Sequence, residues 1–588
     1  MTTSLVDADT LLAIDIGAVN TRALLFDVVD GQYHFIAAGN APTTADAPYK
    51  DISEGVRLAV ERLQEITGRI FIGGDDHLVI PSKADGTGVD VLVNMISAGP
   101  AINMVVVGLL TDVSLESAQR LASSTYSRLA ECIGLNDRRK SETQIDAIIR
   151  AQPDVIILAG GTENGATRSV SKLLEIVGLA CYLIPQERRP TVLYAGNQAL
   201  ADKVKASLEG IAPVQFAPNI RPSIEVEDLS PAQQTLGEII EQVRDRQVGG
   251  ARAMGSLSGR KVLSTAQAFG RFVRFLSRNV NDASKGVLGI DLGGTSTVVA
   301  AAFGGRLNLS VYRVGVGEGM TGLLAEGGLE EITQWLPMHV PDGMVCDYLE
   351  HKALFPASLP VTGEENAIEQ AAARQIIRFA VKNVVTPRSF GASMSGSGLA
   401  GTGLNVPFEP ILAAGSILTH APTPGQSLMM LLDGLQPIGV TTLLLDQNGL
   451  ISAFGAVSDI NSLLPVQVFF GSGAVLNLGT VISPVSEARY GTPILRVRLV
   501  REDNSETRLE VKQGAFHVLP LPRGQSAQLF LEPLNRTSLG LNRPGKGVKV
   551  VGGALGAVID ARGRPISLPS DAPRRREMIK KWLFALGG

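Results

Sequence analysis

Two stretches of the chain share one outline. "DIGAVNTRALLFDVVDG" begins at Asp15 and "DLGGTSTVVAAAFGG" begins at Asp291. Each opens at the end of an apolar strand that closes on Asp. A small-residue turn follows, then a second apolar strand and a Gly-containing turn. A third run comes next, "QYHFIAAG" in one case and "RLNLSVYRVG" in the other. Apolar runs punctuated by such turns predict a β-meander at each place. Helical patterns follow both, such as "SEGVRLAVERLQEI" and "EENAIEQAAARQIIRFAVKNVV", with apolar positions three and four apart. Each half then offers a strand running into a small-residue turn, "PDVIILAGGTENGAT" and "EPILAAGSILTHAPTPGQ". The shared order and similar spacing predict a duplicated α/β unit.

A chain of 588 residues is long for one core and predicts about three or four domains. The expected segments are a first α/β domain at 1–250 and a second at 251–464. A β-rich sandwich or barrel follows at 465–565, where runs such as "TPILRVRLVRED" and "AQLFLEPL" alternate with turns. A helix at 566–588 closes the chain. Between the hairpin and the turn of the first half, "SLESAQRLASSTYSRLAECIG" predicts a helix capped by Ser114, and "SETQIDAIIRAQ" another capped by Ser141. "RKVLSTAQAFGRFVRFLSR", from Arg260 to Arg278, predicts a solvated amphipathic helix rather than a membrane or partner surface.

Composition excludes several classes. A net charge of −4 argues against nucleic acid, which calls for a basic footprint. The most apolar stretches, such as "INMVVVGLL", are too short to span a bilayer. No basic region precedes an apolar one at the N-terminus, so no signal peptide is expected. The three cysteines, Cys132, Cys181 and Cys346, stand far apart without a CxxC, as expected of a reduced cytoplasm. The six histidines are scattered without metal-ligand spacing, and no nucleophile elbow occurs.

The repeated hairpin has a chemical use. Glycine lets backbone N–H groups approach phosphate oxygens, and Thr or Ser adds hydroxyl donors. An Asp beside them can hold Mg²⁺ through water. Two such loops could clasp a polyphosphate. The candidate ligand contacts are Gly17, Asn20, Thr21 and Arg22 in the first loop. In the second they are Gly293, Gly294, Thr295, Ser296 and Thr297. Asp15 and Asp291 are the candidate metal and catalytic residues; as a structural alternative, they cap turns. Gly160-Gly161-Thr162 could be a site or a strand end. The Gly/Ser stretch at 393–405 could cradle phosphate or be a plain loop. "VGVGEGMTG", from Val314 to Gly322, lacks the spacing of a dinucleotide fingerprint.

"DLGGTSTVV" resembles the phosphate loops of the actin, heat-shock chaperone and sugar-kinase superfamily of ATPases, and "DIGAVNTRALLFD" looks like its first phosphate loop. "ILAAGSILTHAP" sits where that superfamily places its adenosine loop, which implies nucleoside contacts at Ala414, Gly415 and Ser416. More narrowly, the order "DIG…LAGGTENG…LYAGN…IDLGGTST…RVGVGEGM" resembles the accessory proteins of coenzyme-B12-dependent glutamate mutase and ornithine aminomutase. The resemblance spans roughly Leu11 to Val457. It implies two ribonuclease-H-like (actin-like ATPase) domains around a nucleotide cleft, with ATP and Mg²⁺ as cofactors. It also implies a reactivating, chaperone-like ATPase whose partner is a cobalamin-dependent mutase. The first loop departs from the pattern at Ala18, Val19 and Asn20, and Val19 offers no side-chain donor. Two other functions stay open. One is a small-molecule kinase, with Asp342, Asp347 or Asp433 as the base. The other is a scaffold with a degenerate site.

Overall fold

The computed structural model describes residues 9–163, 165–280, 282–382, 384, 404, 406–471, 473–540 and 547–587. The fold is mixed α/β, with four sheets in two compact units. One unit comprises Met1–Gly31, Ile36–Ala268 and Leu309–Val311. The other comprises Gln32–Phe35, Phe269–Asn308 and Tyr312–Gly588. The stretch 393–405 lies outside the described residues, Leu404 apart.

The first sheet starts with the expected meander: β1 (Leu11–Ile16), β2 (Asn20–Val29) and β3 (Gln32–Pro42). β1 is buried along its whole length, as a central strand covered on both faces must be. The strand parallel to β1 is β4 (Val91–Ile96), and β4 in turn pairs with the short β10 (Leu263–Ser264). The order is β10-β4-β1-β2-β3.

The chain between β4 and β10 builds a second sheet. It holds β5 (Ile102–Gly108), β6 (Ser127–Gly134), β7 (Val155–Leu158), β8 (Thr191–Tyr194) and β9 (Val214–Phe216). All neighbours are parallel, in the order β6-β5-β7-β8-β9. This is a doubly wound order, with the first strand inside the second. Helices Glu116–Ala122 and Ser230–Gln247 cover one face. Helices Ser141–Ala151, Arg168–Leu183 and Ala201–Leu208 cover the other.

Local expectations fail here for tertiary reasons. Residues 114–134 are not one helix. The helix stops at Ala122, where Ser123, Ser124 and Ser127 donate their hydroxyls to the carbonyls of Arg120, Leu121 and Ala122. The rest becomes β6, because β5 offers it a partner. Ser114 caps nothing; its Oγ accepts the Leu109 and Leu110 N–H groups. Ser141 is the first helical residue and no side chain caps that helix.

The second unit repeats the meander with β11 (Gly286–Leu292), β12 (Thr297–Phe303) and β13 (Arg306–Tyr312). β14 (Phe408–Ala414) lies parallel to β11, and β15 (Gly439–Asp446) lies parallel to β14. β16 (Leu476–Ser483) continues this sheet. β17 (Pro493–Arg501), β18 (Glu506–Lys512), β20 (Ser526–Pro533) and β21 (Val548–Val551) form a separate four-stranded sheet. β19 (Phe516–Leu519) and β22 (Ala557–Asp560) return to the large one, ordered β13-β12-β11-β14-β15-β16-β22-β19. The β-rich region expected at 465–565 is thus shared between two sheets.

The Arg260–Arg278 stretch is helical only from Thr265, and its apolar face is buried rather than solvated. Phe269 and Val273 lie where a Cβ on Gly289 of β11 would meet them, at 2.6 and 2.7 Å. Phe272 packs on Phe454 and Phe469.

A buried ionic network holds the far side of the second unit. Asp433 accepts from Arg374 Nε (2.8 Å) and Arg562 Nη1 (2.7 Å). Asp560 accepts from Arg562 Nε (2.8 Å) and Arg564 Nη2 (2.9 Å). Arg562 also lies 4.7 Å from the Trp582 ring of the closing helix Ala572–Ala585. Burial pushes the Asp560 carboxyl up, but Arg562 and Arg564 outweigh it and the net shift is downward. Removing one member leaves uncompensated charge in the core, which costs about 3–5 kcal/mol. Asp560→Ala should therefore lower unfolding stability by about that amount in urea titration. A change within error would refute the network's role.

Candidate functional site

The two hairpin loops share one geometry. In the first, Gly17 N–H donates to Asn20 O at 3.0 Å; in the second, Gly293 N–H donates to Ser296 O at 3.0 Å. A Cβ on Gly17 would stand 2.6 Å from Asn20 O, and one on Gly293 would stand 2.9 Å from Ser296 O. Only glycine fits either place. Asp15 pairs across its hairpin with Arg22, and Asp291 with Val298, at the same register step.

The residue after each turn is a threonine buried completely. Thr43 Oγ1 donates to Gly17 O at 2.7 Å, so the 3.0 Å bond between Thr21 and Thr43 uses the Thr21 hydrogen. Thr297 Oγ1 donates to Val314 O at 2.8 Å. Both hydroxyls brace the loop from within. Asn20 is exposed, while Arg22, Gly294, Thr295 and Ser296 are half-buried. These side chains and the backbone amides are the groups left to face a ligand.

The same segment that braces Thr297 also packs under the second loop. Val316 N–H donates to Gly293 O at 2.9 Å. A Cβ on Gly315 would lie 2.4 Å from Gly293 O, and one on Gly317 would lie 2.7 Å from Gly294 O. The glycines of "VGVGEG" thus serve close backbone packing. Sequence spacing dismissed them because it tested only one motif.

The strand beside each Asp completes the site. Ala414 is in register with Asp291, and Asp446 with Ala414. Gly415 holds φ 117°, and its Cβ would lie 2.3 Å from Leu292 O. Ser416 is exposed. Asp446 was missed by sequence reasoning, although an Asp ending an apolar strand before "QNG" could have flagged it. It is buried and accepts N–H groups from Asn448 (3.1 Å), Gly449 (2.9 Å) and Ile451 (2.7 Å), so it fixes the loop next to Gly415.

In the first unit the matching turn follows β4. Ser97 and Ala98 donate their N–H groups to Ile16 O at 2.9 and 3.2 Å, as Gly415 closes on Leu292. Gly160-Gly161-Thr162 instead follows β7, in the other sheet. Asp15 further accepts from Thr265 Oγ1 at 3.0 Å, a partner 250 positions away that no local pattern reveals.

Among the described residues no group of three His, Cys, Asp or Glu could hold a metal ion. One carboxylate per loop, with hydroxyls nearby, is a donor set for Mg²⁺ that takes its other ligands from water and phosphate. No helix among the described residues is long and apolar enough to cross a membrane.

The MutL protein family matches residues 11–471, from β1 through the helix Leu463–Gly471. The chain belongs to that family. No curated protein matches it. The nucleotide-free structure of an acetone carboxylase is 13% identical, with TM-score 0.30, covering 86% of this chain and 81% of that chain. Xylulose kinase from Bifidobacterium adolescentis is 12% identical, with TM-score 0.28, covering 76% and 92%. A glycerol dehydratase reactivase is 11% identical, with TM-score 0.25, covering 72% and 95%. The match of this MutL-family chain ends before the four-stranded sheet, which lies outside it.

Gly315→Ala should push the second loop off its buttress, costing about 1–3 kcal/mol of stability and speeding amide exchange at Gly293. Hydrogen exchange read by mass spectrometry checks both. Unchanged exchange there would refute the buttress.

Proposed function

We propose that the chain is a Mg²⁺-dependent ATP-binding protein whose hairpin loops engage nucleotide phosphates. The observation that carries this reading is the turn built twice at identical offsets. Each has Asp two residues before a glycine that admits no Cβ, and a buried threonine four residues after that glycine. A turn that merely linked two strands would not need the same glycine and the same brace in both units. The loop amides and hydroxyls supply fixed donors for phosphate oxygens, and Asp15 and Asp291 hold Mg²⁺ through water. Ala414, Gly415 and Ser416 take the nucleoside side. On this reading 1–250 and 251–464 are duplicated actin-like domains, 465–565 is a β-rich domain and 566–588 a closing helix.

ATP binding would favour one conformation of the chain, and the differential affinity for its states would drive work on a partner. The partner we propose is a cobalamin-dependent amino-acid mutase, supported by the sequence resemblance, with the chain as its reactivating accessory ATPase in the cytoplasm. The kinase alternative loses one candidate base. Asp433 is held by Arg374 and Arg562, with its side chain 2% exposed, and cannot reach a substrate hydroxyl.

Asp291→Ala should weaken Mg²⁺-dependent ATP binding about 10- to 100-fold in titration calorimetry, with thermal unfolding checking that the chain is still folded. Wild-type affinity in that variant would sink the site assignment. Failure of the chain to restore an inactivated mutase, despite ATP binding, would remove the partner and leave the nucleotide site.

A further inference from the structure

The parallel sheet between β4 and β10 has no part in the proposed nucleotide site, yet it has the topology of a binding domain. Its chain runs from β5 outward to β6, then returns past β5 to β7. In such sheets ligands sit beyond the carboxyl ends of the strands, where the winding reverses. Here that place lies between the turns after β5 and β7. The two turns touch there, since a Cβ on Gly160 would lie 2.9 Å from Leu109 Cγ.

The turn after β7 leads into helix Arg168–Leu183. That helix has no side-chain cap and no acid in its first turn, which begins with an exposed Arg168. Its first N–H groups have no intrahelical partners and carry the positive end of the dipole. A second observation points to a ligand. Asn197, in the turn after β8, is fully buried. Its Oδ1 accepts the Ala199 N–H at 3.0 Å, and Tyr194 Oη donates to its carbonyl at 2.8 Å. Its Nδ2 has no hydrogen-bond partner. A buried amide donor without an acceptor is costly.

The Asn197 side chain starts beside the turn that leads into that helix. A Cβ on Gly161, which holds φ 74°, would meet Asn197 Cβ and Ala166 O at 3.2 Å each and Val170 Cγ2 at 3.6 Å. Glu163 lies in the same turn. Its oxygens accept from Asn219 Nδ2 (2.7 Å) and Gln198 N (3.4 Å).

We propose that the carboxyl edge of this sheet binds the phosphate group of a small molecule. The first-turn amides of Arg168–Leu183, the Arg168 guanidinium and Asn197 Nδ2 are its donors. The site is separate from the hairpin loops and stands whether or not they bind ATP.

The probe is inorganic phosphate at millimolar concentration on the full chain, read by hydrogen exchange of residues 166–171. Wild-type protein should show saturable protection there. Arg168→Glu changes an exposed residue and should weaken phosphate binding about tenfold or more. Asn197→Asp keeps the acceptor for Ala199, removes the free donor and adds a charge that repels the anion, and should do the same. Asp291→Ala should leave this protection intact. No protection at 166–171, or protection untouched by both edge variants, would overturn the proposal. So would protection lost in Asp291→Ala, because the phosphate would then belong to the hairpin loops.

Discussion

The structure rests on a turn too tight for a side chain. At Gly17 and at Gly293 the backbone folds back so closely that its own carbonyl, three residues on, occupies the space a Cβ would need. The glycine N–H is spent on that carbonyl, so the turn is closed from within. The following threonine then anchors the turn from below, through Thr43 in one unit and Val314 in the other. What remains on the outside is a short, rigid rim of polar groups beside one aspartate. Rigidity matters because donors already in place do not have to be ordered when charge arrives.

Around that turn each unit does the same thing with different material. A parallel strand comes up beside the Asp strand, and the chain leaving it presses on the residue after the aspartate. In one unit, Ser97 and Ala98 bond to Ile16; in the other, Gly415 closes on Leu292. The units then diverge. The first inserts a complete doubly wound sheet between β4 and β10. The second extends its sheet through β16, β22 and β19 and ties the extension down with the Asp433, Arg562 and Asp560 network.

Both meanders were legible in the sequence because they are local: alternating apolar runs, an Asp, small residues, a Gly turn. β14 and the helix Gly363–Lys382 were legible for the same reason. What escaped is decided by distant pairing. Val155–Leu158 reads as a strand, but nothing in "VIIL" says that it pairs with β5 rather than β1. β4, the parallel neighbour of β1, is only six residues long, directly follows a turn-rich stretch and has no outstanding pattern. Ser127–Gly134 carries helix-compatible spacing and becomes a strand only because β5 is there to receive it. The candidate loops were readable down to their glycines. The inward use of Thr21 and Thr297, and the support from Thr265 and Asp446, were not, because each depends on a residue brought in by the fold.

The central claim is that the hairpin loops bind nucleotide phosphates. The most direct test is hydrogen exchange of the wild-type chain with and without Mg²⁺-ATP, read at residues 17–22 and 293–297 in the same experiment. The account predicts that both segments gain saturable protection as ATP is added. Absence of protection in either segment would contradict it.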